Sequence, residues 1–172
     1  MRRSLSLVKN AAYLVKVLKK LGVELDLLAI RSSFEERLYI QKLVYMLKLN
    51  PEFRKYLEFA KYSMYLYGPY SPELANVYYN MPKNVPEYEV VISSNALEYG
   101  REIVKMSPED LEIAATLVEI LKTNPNITED AAVRRVHELK FYLGRSKAQI
   151  RGILEYIKNL AKRYKLEITQ PL

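Results

Sequence analysis

One histidine, His137, lies between Val136 and Glu138. A Ser-His-Asp triad would have to use it, and a multi-histidine metal site is not available. On an amphipathic helix it reads as a structural residue. Ser6-Leu-Val-Lys9 matches the Ser-x-x-Lys tetrad of acyl enzymes but lacks the companion motifs. Glu35/Glu36, Glu109/Asp110 and Glu129/Asp130 are carboxylate pairs of the kind that acid-pair hydrolases and metal nucleases use. Each pair falls in the first turn of an expected helix, where the macrodipole already favours negative charge. Glu138-Leu-Lys140 has the form of a nuclease-motif tail, yet it falls on a helix and not on a strand. There are no cysteines, which removes thiolate metal sites, disulfides and cysteine nucleophiles. The five glycines are scattered, so neither a dinucleotide fingerprint nor a P-loop can form. The expectation is a protein that is not an enzyme and takes no metal and no cofactor.

Charge gives a second class of reading. The net charge is +7, and residues 1–22 carry basic but no acidic side chains. The C-terminal third is also basic, while the centre is mildly acidic. Arg134, Arg135, Arg145, Lys147, Arg151, Lys158 and Lys162 could form a nucleic-acid-binding face, because phosphate contact needs only such clustered cations. Solvated helices laced by pairs such as Arg151 with Glu155 would look the same. Lysines interrupt the apolar residues of MRRSLSLVKNAAYLVKVLKK, so neither a signal peptide nor a membrane span is expected, and a cytoplasmic location follows. Abundant Lys, Glu, Tyr and Ile without Cys suits a thermophile.

The elements that position these residues can be read from period and punctuation. Residues 5–22 form a basic amphipathic helix ending near Gly22. Ser32 or Ser33 caps a helix toward Leu49, with Leu38, Leu43, Val44 and Leu47 inward and Pro51 closing it. Residues 59–67 alternate as a half-buried strand, and 88–93 (YEVVIS) reads as a second short strand. Further helices are expected over 95–106, from the Ser107 cap, from Thr128 to about Lys140, and from the Ser146/Gln149 capping box. The fold class is mainly α, a helical bundle with a small antiparallel β-sheet (α+β). Residues 1–172 read as one domain, with 34–80 and 95–165 as its two larger parts.

The stretch YLYGPYSPEL, residues 65–74, is a strand-to-helix corner: Gly68 permits a positive φ, Pro69 fixes the turn, and Ser71, Pro72 and Glu73 start a helix. That leaves Tyr65, Tyr67, Tyr70, Tyr78 and Tyr79. Tyr65 and Tyr78 lean toward a core role; Tyr67, Tyr70 and Tyr79 fit a core or a partner surface equally.

The segment RLYIQKLVYML, residues 37–47, followed by MYLYGPYSPELANVYY, residues 64–79, resembles the Panacea or SocA-like antitoxin-associated family. Lys42, Leu43 and Tyr45 match its Lys-Leu-x-Tyr helix, and Gly68, Pro69 and Leu74 its Gly-Pro corner and following helix. Ile40 departs from the usual Leu, and the long basic helix precedes the matched region. The resemblance implies a mainly helical, non-enzymatic interaction domain that binds a toxin-like or other protein partner, or delivers one to a protease. Tyr67, Gly68, Pro69, Tyr70 and Tyr79 are the expected contact residues; nucleic-acid binding by the basic C-terminal helices is the alternative.

Overall fold

The structure, a computed structural model, describes residues 2–168. Its elements follow in the order α1 (Arg2–Lys20), α2 (Leu27–Ser32), α3 (Phe34–Leu47), α4 (Pro51–Leu57), β1 (Ser63–Tyr65), β2 (Gly68–Tyr70), α5 (Pro72–Asn80), α6 (Ser94–Val104), α7 (Pro108–Thr123), α8 (Glu129–Leu139), a 3-10 turn (Phe141–Leu143) and α9 (Lys147–Tyr164). The molecule is mainly α with one small antiparallel sheet, as its sequence pattern predicts. No helix among the described residues is long and apolar enough to cross a membrane.

α7 is the axis of the bundle. Every residue from Leu111 to Leu121 is buried, and α3, α8, α9 and β2 all pack against it. A helix apolar on all sides belongs at the centre of a fold, but this one also carries Glu112, Thr116 and Glu119 at i, i+4 and i+7. These form a buried polar stripe. Local chemistry sets the helix starts: Ser33, Ser71, Ser93, Ser107, Thr128 and Ser146 each accept a backbone N–H from the first turn, with Gln149 completing a capping box. Pro51 opens a helix here and does not merely end the preceding one. Asn50 caps it, and Pro at the first helical position loses no hydrogen bond.

The sheet is smaller than the alternation over residues 59–67 suggests. Only Ser63–Tyr65 pairs, with Gly68–Tyr70 in the register Ser63 to Tyr70 and Tyr65 to Gly68. Ala60 is buried, but Met64 and Leu66 are exposed, so the inward face ends at Tyr62. Neither Leu66 nor Tyr67 has a positive φ; the left-handed step falls on Gly68, at φ 91°. The strand therefore pairs with the Gly-Pro corner itself.

Residues 88–93 are not a strand. Their alternation is real, with Val90 and Ile92 buried and Val91 exposed, but side chains of α4 satisfy the backbone. The Tyr56 hydroxyl accepts from the Val91 N–H at 3.0 Å and donates to its carbonyl at 3.2 Å. Glu52 takes the Ser93 N–H at 2.7 Å and the Ser93 hydroxyl at 2.6 Å. Period two shows that one face is buried; it does not supply a neighbouring strand.

Tyr56→Phe should strip both partners from Val91 and cost about 1 kcal/mol of stability. Hydrogen exchange at the Val91 amide should accelerate while amides in α7 keep their protection. Unchanged exchange at Val91 would show that this segment is held by apolar packing alone.

Candidate functional site

The Gly-Pro corner is held from beneath by two adjacent residues of α3, Gln41 and Lys42, each about 1% exposed. The Gln41 amide is used on both sides: its nitrogen donates to the Ser71 carbonyl at 2.9 Å and its oxygen accepts the Ser71 N–H at 2.9 Å. Lys42 Nζ donates to the Pro69 carbonyl at 2.8 Å. The backbone of α3 is engaged as well, since the Tyr62 hydroxyl donates to the Gln41 carbonyl at 3.0 Å. Side chains of one helix thus give β2 and Ser71, the residue that follows it, the partners that a third strand would otherwise provide.

Gly68 is required twice over. Its φ is left-handed, and a Cβ there would stand 2.6 Å from Thr116 Oγ1 and 3.4 Å from Lys42 Cε. Thr116 cannot easily move, because it is buried and donates to the Glu112 carbonyl at 2.8 Å.

A second buried group lies next to this corner. Glu112 Oε1 accepts from Lys140 Nζ at 2.6 Å and from the Tyr142 hydroxyl, and Lys140 Nζ also reaches that hydroxyl at 3.1 Å. Lys140 Nζ lies 5.9 Å from the Tyr67 ring centre and 5.6 Å from that of Tyr142. Two buried amines therefore lie near one carboxylate, which pairs with Lys140 alone. Burial, and then the charge of Lys140, lower the Lys42 amine to about 7 against partial opposition from Glu112. Burial also lowers Lys140, but its hydrogen bond to Glu112 opposes that. The charge balance is a Lys140–Glu112 ion pair beside a Lys42 that gives up its proton near neutrality.

Above this floor opens a pocket of about 360 Å³. Phe34, Arg37, Tyr65, Leu66, Tyr67 and Tyr79 form its walls, with Gln41, Lys42 and Gly68 below. The rings brace one another: Phe34 meets Tyr67 edge-on at 5.0 Å, Tyr67 meets Tyr142 at 6.2 Å, Tyr65 meets Tyr70 at 5.3 Å and Tyr78 meets Tyr79 at 4.9 Å. Leu66, Phe141, Tyr142, Tyr65, Tyr79 and Tyr67 all remain exposed around this mouth and its neighbourhood.

Measured against the expected contact residues, Tyr67 and Tyr79 are exposed and Tyr70 is half-buried. Gly68 and Pro69 are buried, so they shape the corner and do not form its surface. Tyr78 is fully buried, as a core tyrosine should be, but Tyr65 is 53% exposed, because β1 is the outer strand of the hairpin. Phe34, Phe141 and Tyr142 lie outside the Gly-Pro motif and were not signalled by it. Glu112 and Thr116 had a signal, their helical spacing with Glu119 on an otherwise apolar helix.

The basic C-terminal residues are less available than their count suggests. Arg145 pairs with Asp110 at 3.0 Å, Arg151 with Asp130, and Lys158 with Glu129 at 2.8 Å and Glu155 at 3.2 Å. Glu155 therefore serves Lys158 and not Arg151. Arg134, Arg135, Lys147 and Lys162 are exposed. His137 is half-buried on α8, Glu138 is exposed, and Lys140 belongs to the buried ion pair, so the three do not converge on one centre. The chain matches no family model, no curated protein and no solved structure.

Two outcomes follow from this geometry. A lysine whose folded-state value lies at about 7, against 10.5 in the unfolded chain, binds a proton only when unfolded between those limits. Stability should therefore rise with pH over that range, by at most about 1.4 kcal/mol per pH unit for each such group. Lys140 and Lys48, also lowered, add slope of the same sign. Chemical denaturation from about pH 6.5 to about pH 9.5, below tyrosine ionisation, should show the rise, and Lys42→Met should flatten it. An identical slope in Lys42→Met would remove the buried neutral amine. Gly68→Ala should cost about 1–3 kcal/mol for the left-handed backbone alone, with the Thr116 contact adding to it, read from the same denaturation curves.

Proposed function

We propose that this chain is an interaction domain without catalytic turnover, and that the aromatic pocket over the Gly-Pro corner receives a protein partner. One observation carries the reading: exposed rings stand on a floor whose backbone is tied by Gln41 and Lys42. Monomeric surfaces seldom keep large apolar groups together in the open. Braced tyrosines lose little freedom on contact, and their hydroxyls accept water when the partner is absent. The pocket walls combine aromatic carbon with Arg37 and contain no carboxylate, which favours a partner segment with an apolar anchor and an acidic neighbour.

The resemblance of residues 37–47 and 64–79 to the Panacea or SocA-like antitoxin-associated family supports the same reading and suggests a toxin-like partner. In this structure those two segments are the two halves of one construction, Gln41 and Lys42 on α3 and the corner they hold.

The test begins with copurification from the native host, identification of the captured protein and reconstitution from pure components. Tyr67→Ala and Tyr79→Ala should each weaken the reconstituted complex by about 2 kcal/mol, roughly 30-fold, if they are central anchors. Their melting temperatures should stay close to that of the parent. A large fall in melting temperature with affinity unchanged would return these rings to a purely structural role.

A further inference from the structure

On another face, the C-terminal ends of α3 and α7, the side of α4 and the segment before β1 surround a hollow of about 420 Å³. Four cations line it: Lys48, Arg54, Lys61 and Lys122. Helix ends account for part of this, because Lys48 caps α3 and Lys122 lies in the last turn of α7, where positive charge offsets the dipole. They do not account for Arg54 and Lys61 converging on the same space.

The cations are poorly compensated. Lys48 Nζ donates to the Ala60 carbonyl and stands 5.4 Å from the Tyr62 ring centre. Lys122 Nζ stands 5.7 Å from the Tyr45 ring centre. Among the described residues neither forms an ion pair, and Lys61 has only Glu58, at 4.0 Å on the exposed side. Glu119, the carboxylate at the wall, is engaged by the Tyr45 hydroxyl at 2.6 Å. The Lys48 amine is lowered to about 8, first by burial and then by the charges of Lys61, Lys122 and Arg54. The fold thus tolerates mutual repulsion at this place.

The chain itself supplies a second carboxylate here. After α9, the Glu167 N–H donates to the Leu49 carbonyl at 3.0 Å, and its carboxylate meets Arg54 at 2.5 Å within the hollow. Glu167 answers Arg54 and also feels the charge of Lys122, so four cations stand against the two carboxylates Glu119 and Glu167, an excess of two positive charges. We infer that the hollow is a binding site for a phosphate dianion, in which Lys48, Lys61, Lys122 and Arg54 are the recognition groups and the Glu167 carboxylate is an internal competitor. A dianion would answer two charges at once, and the volume falls in the range of small-ligand pockets, about 300–1,000 Å³. It leaves room for a small organic group on the phosphate. The site shares no residue with the aromatic pocket and stands independently of it.

The test is calorimetric titration of the intact protein with inorganic phosphate and with adenosine monophosphate, at constant ionic strength set by chloride. Saturable binding is expected. Lys61→Gln/Lys122→Gln should weaken it about tenfold or more, and Glu167→Gln should tighten it several-fold, a tenfold change being about 1.4 kcal/mol. Both lysines repel Lys48, and relief of that repulsion offsets the loss of Lys122 from the Tyr45 ring and the last turn of α7, so the double variant should melt close to the parent; this separates a lost site from a lost fold. Tighter binding of the nucleotide would assign the site to an organic phosphate, and equal affinity to the free ion. The inference is overturned if neither the parent nor Glu167→Gln binds saturably, or if binding is indifferent to the two lysines. Binding that depends on the lysines but ignores Glu167→Gln would overturn the role of internal competitor.

Discussion

The corner at Gly68-Pro69 depends on a constraint that its own strands cannot meet. Two strands of three residues, one containing a proline with no N–H, do not make a stable sheet in water. Gln41 and Lys42 supply the missing partners from the side, through three bonds to the backbone at Pro69 and Ser71. Everything displayed above the corner inherits its position from that attachment. Tyr67 can lean on Phe34, and Tyr65 on Tyr70, because the hairpin carrying them is fixed to α3. Ser71 is both the residue Gln41 holds and the cap of α5, so the same contact sets where that helix begins.

Burying a lysine is costly, and the structure shows how the cost is contained. Lys42 reaches a carbonyl acceptor and loses its proton near neutrality, whereas Lys140 keeps a carboxylate partner in Glu112. A buried pair with extra hydrogen bonds from Tyr142 is acceptable where an isolated charge would not be. The polar stripe of α7 performs this service along its length: Glu112 for Lys140, Thr116 against Gly68, Glu119 for Tyr45. A central helix of pure hydrocarbon would pack as well but could not register the corner and the turn at Phe141–Leu143 against itself.

Much of the architecture was legible along the chain. Ser33, Ser71, Ser107, Thr128 and Ser146 all cap helices, because capping is decided within four residues and needs no tertiary partner. The candidate site was legible in part. Tyr67, Tyr79 and the glycine-proline turn were visible from their local density, but Phe34, Phe141 and Tyr142 come to the same region from distant segments and carried no mark of it. Tyr65 shows the limit within a single motif: the sequence alternates there, yet Ser63, Met64 and Tyr65 are all exposed, because whether either face of so short a hairpin meets the core depends on what packs against it.

The sequence by itself determined the helical class, the helix starts at Ser33, Ser71, Ser107, Thr128 and Ser146, the apolar character of α7 and the need for a glycine and proline between β1 and α5, since periodicity, capping and backbone restriction are short-range properties; the short helices α2 and α4 were not read from it. Only the tertiary structure decided the partners of polar groups far apart in the chain. Lys42 meets Pro69, Lys140 meets Glu112, and Tyr56 takes the place of a strand beside Val91. A buried donor or acceptor must be satisfied by whatever the packing brings within about 3 Å. The residues that satisfy it are chosen by the three-dimensional approach of helices, which no local pattern in the chain records.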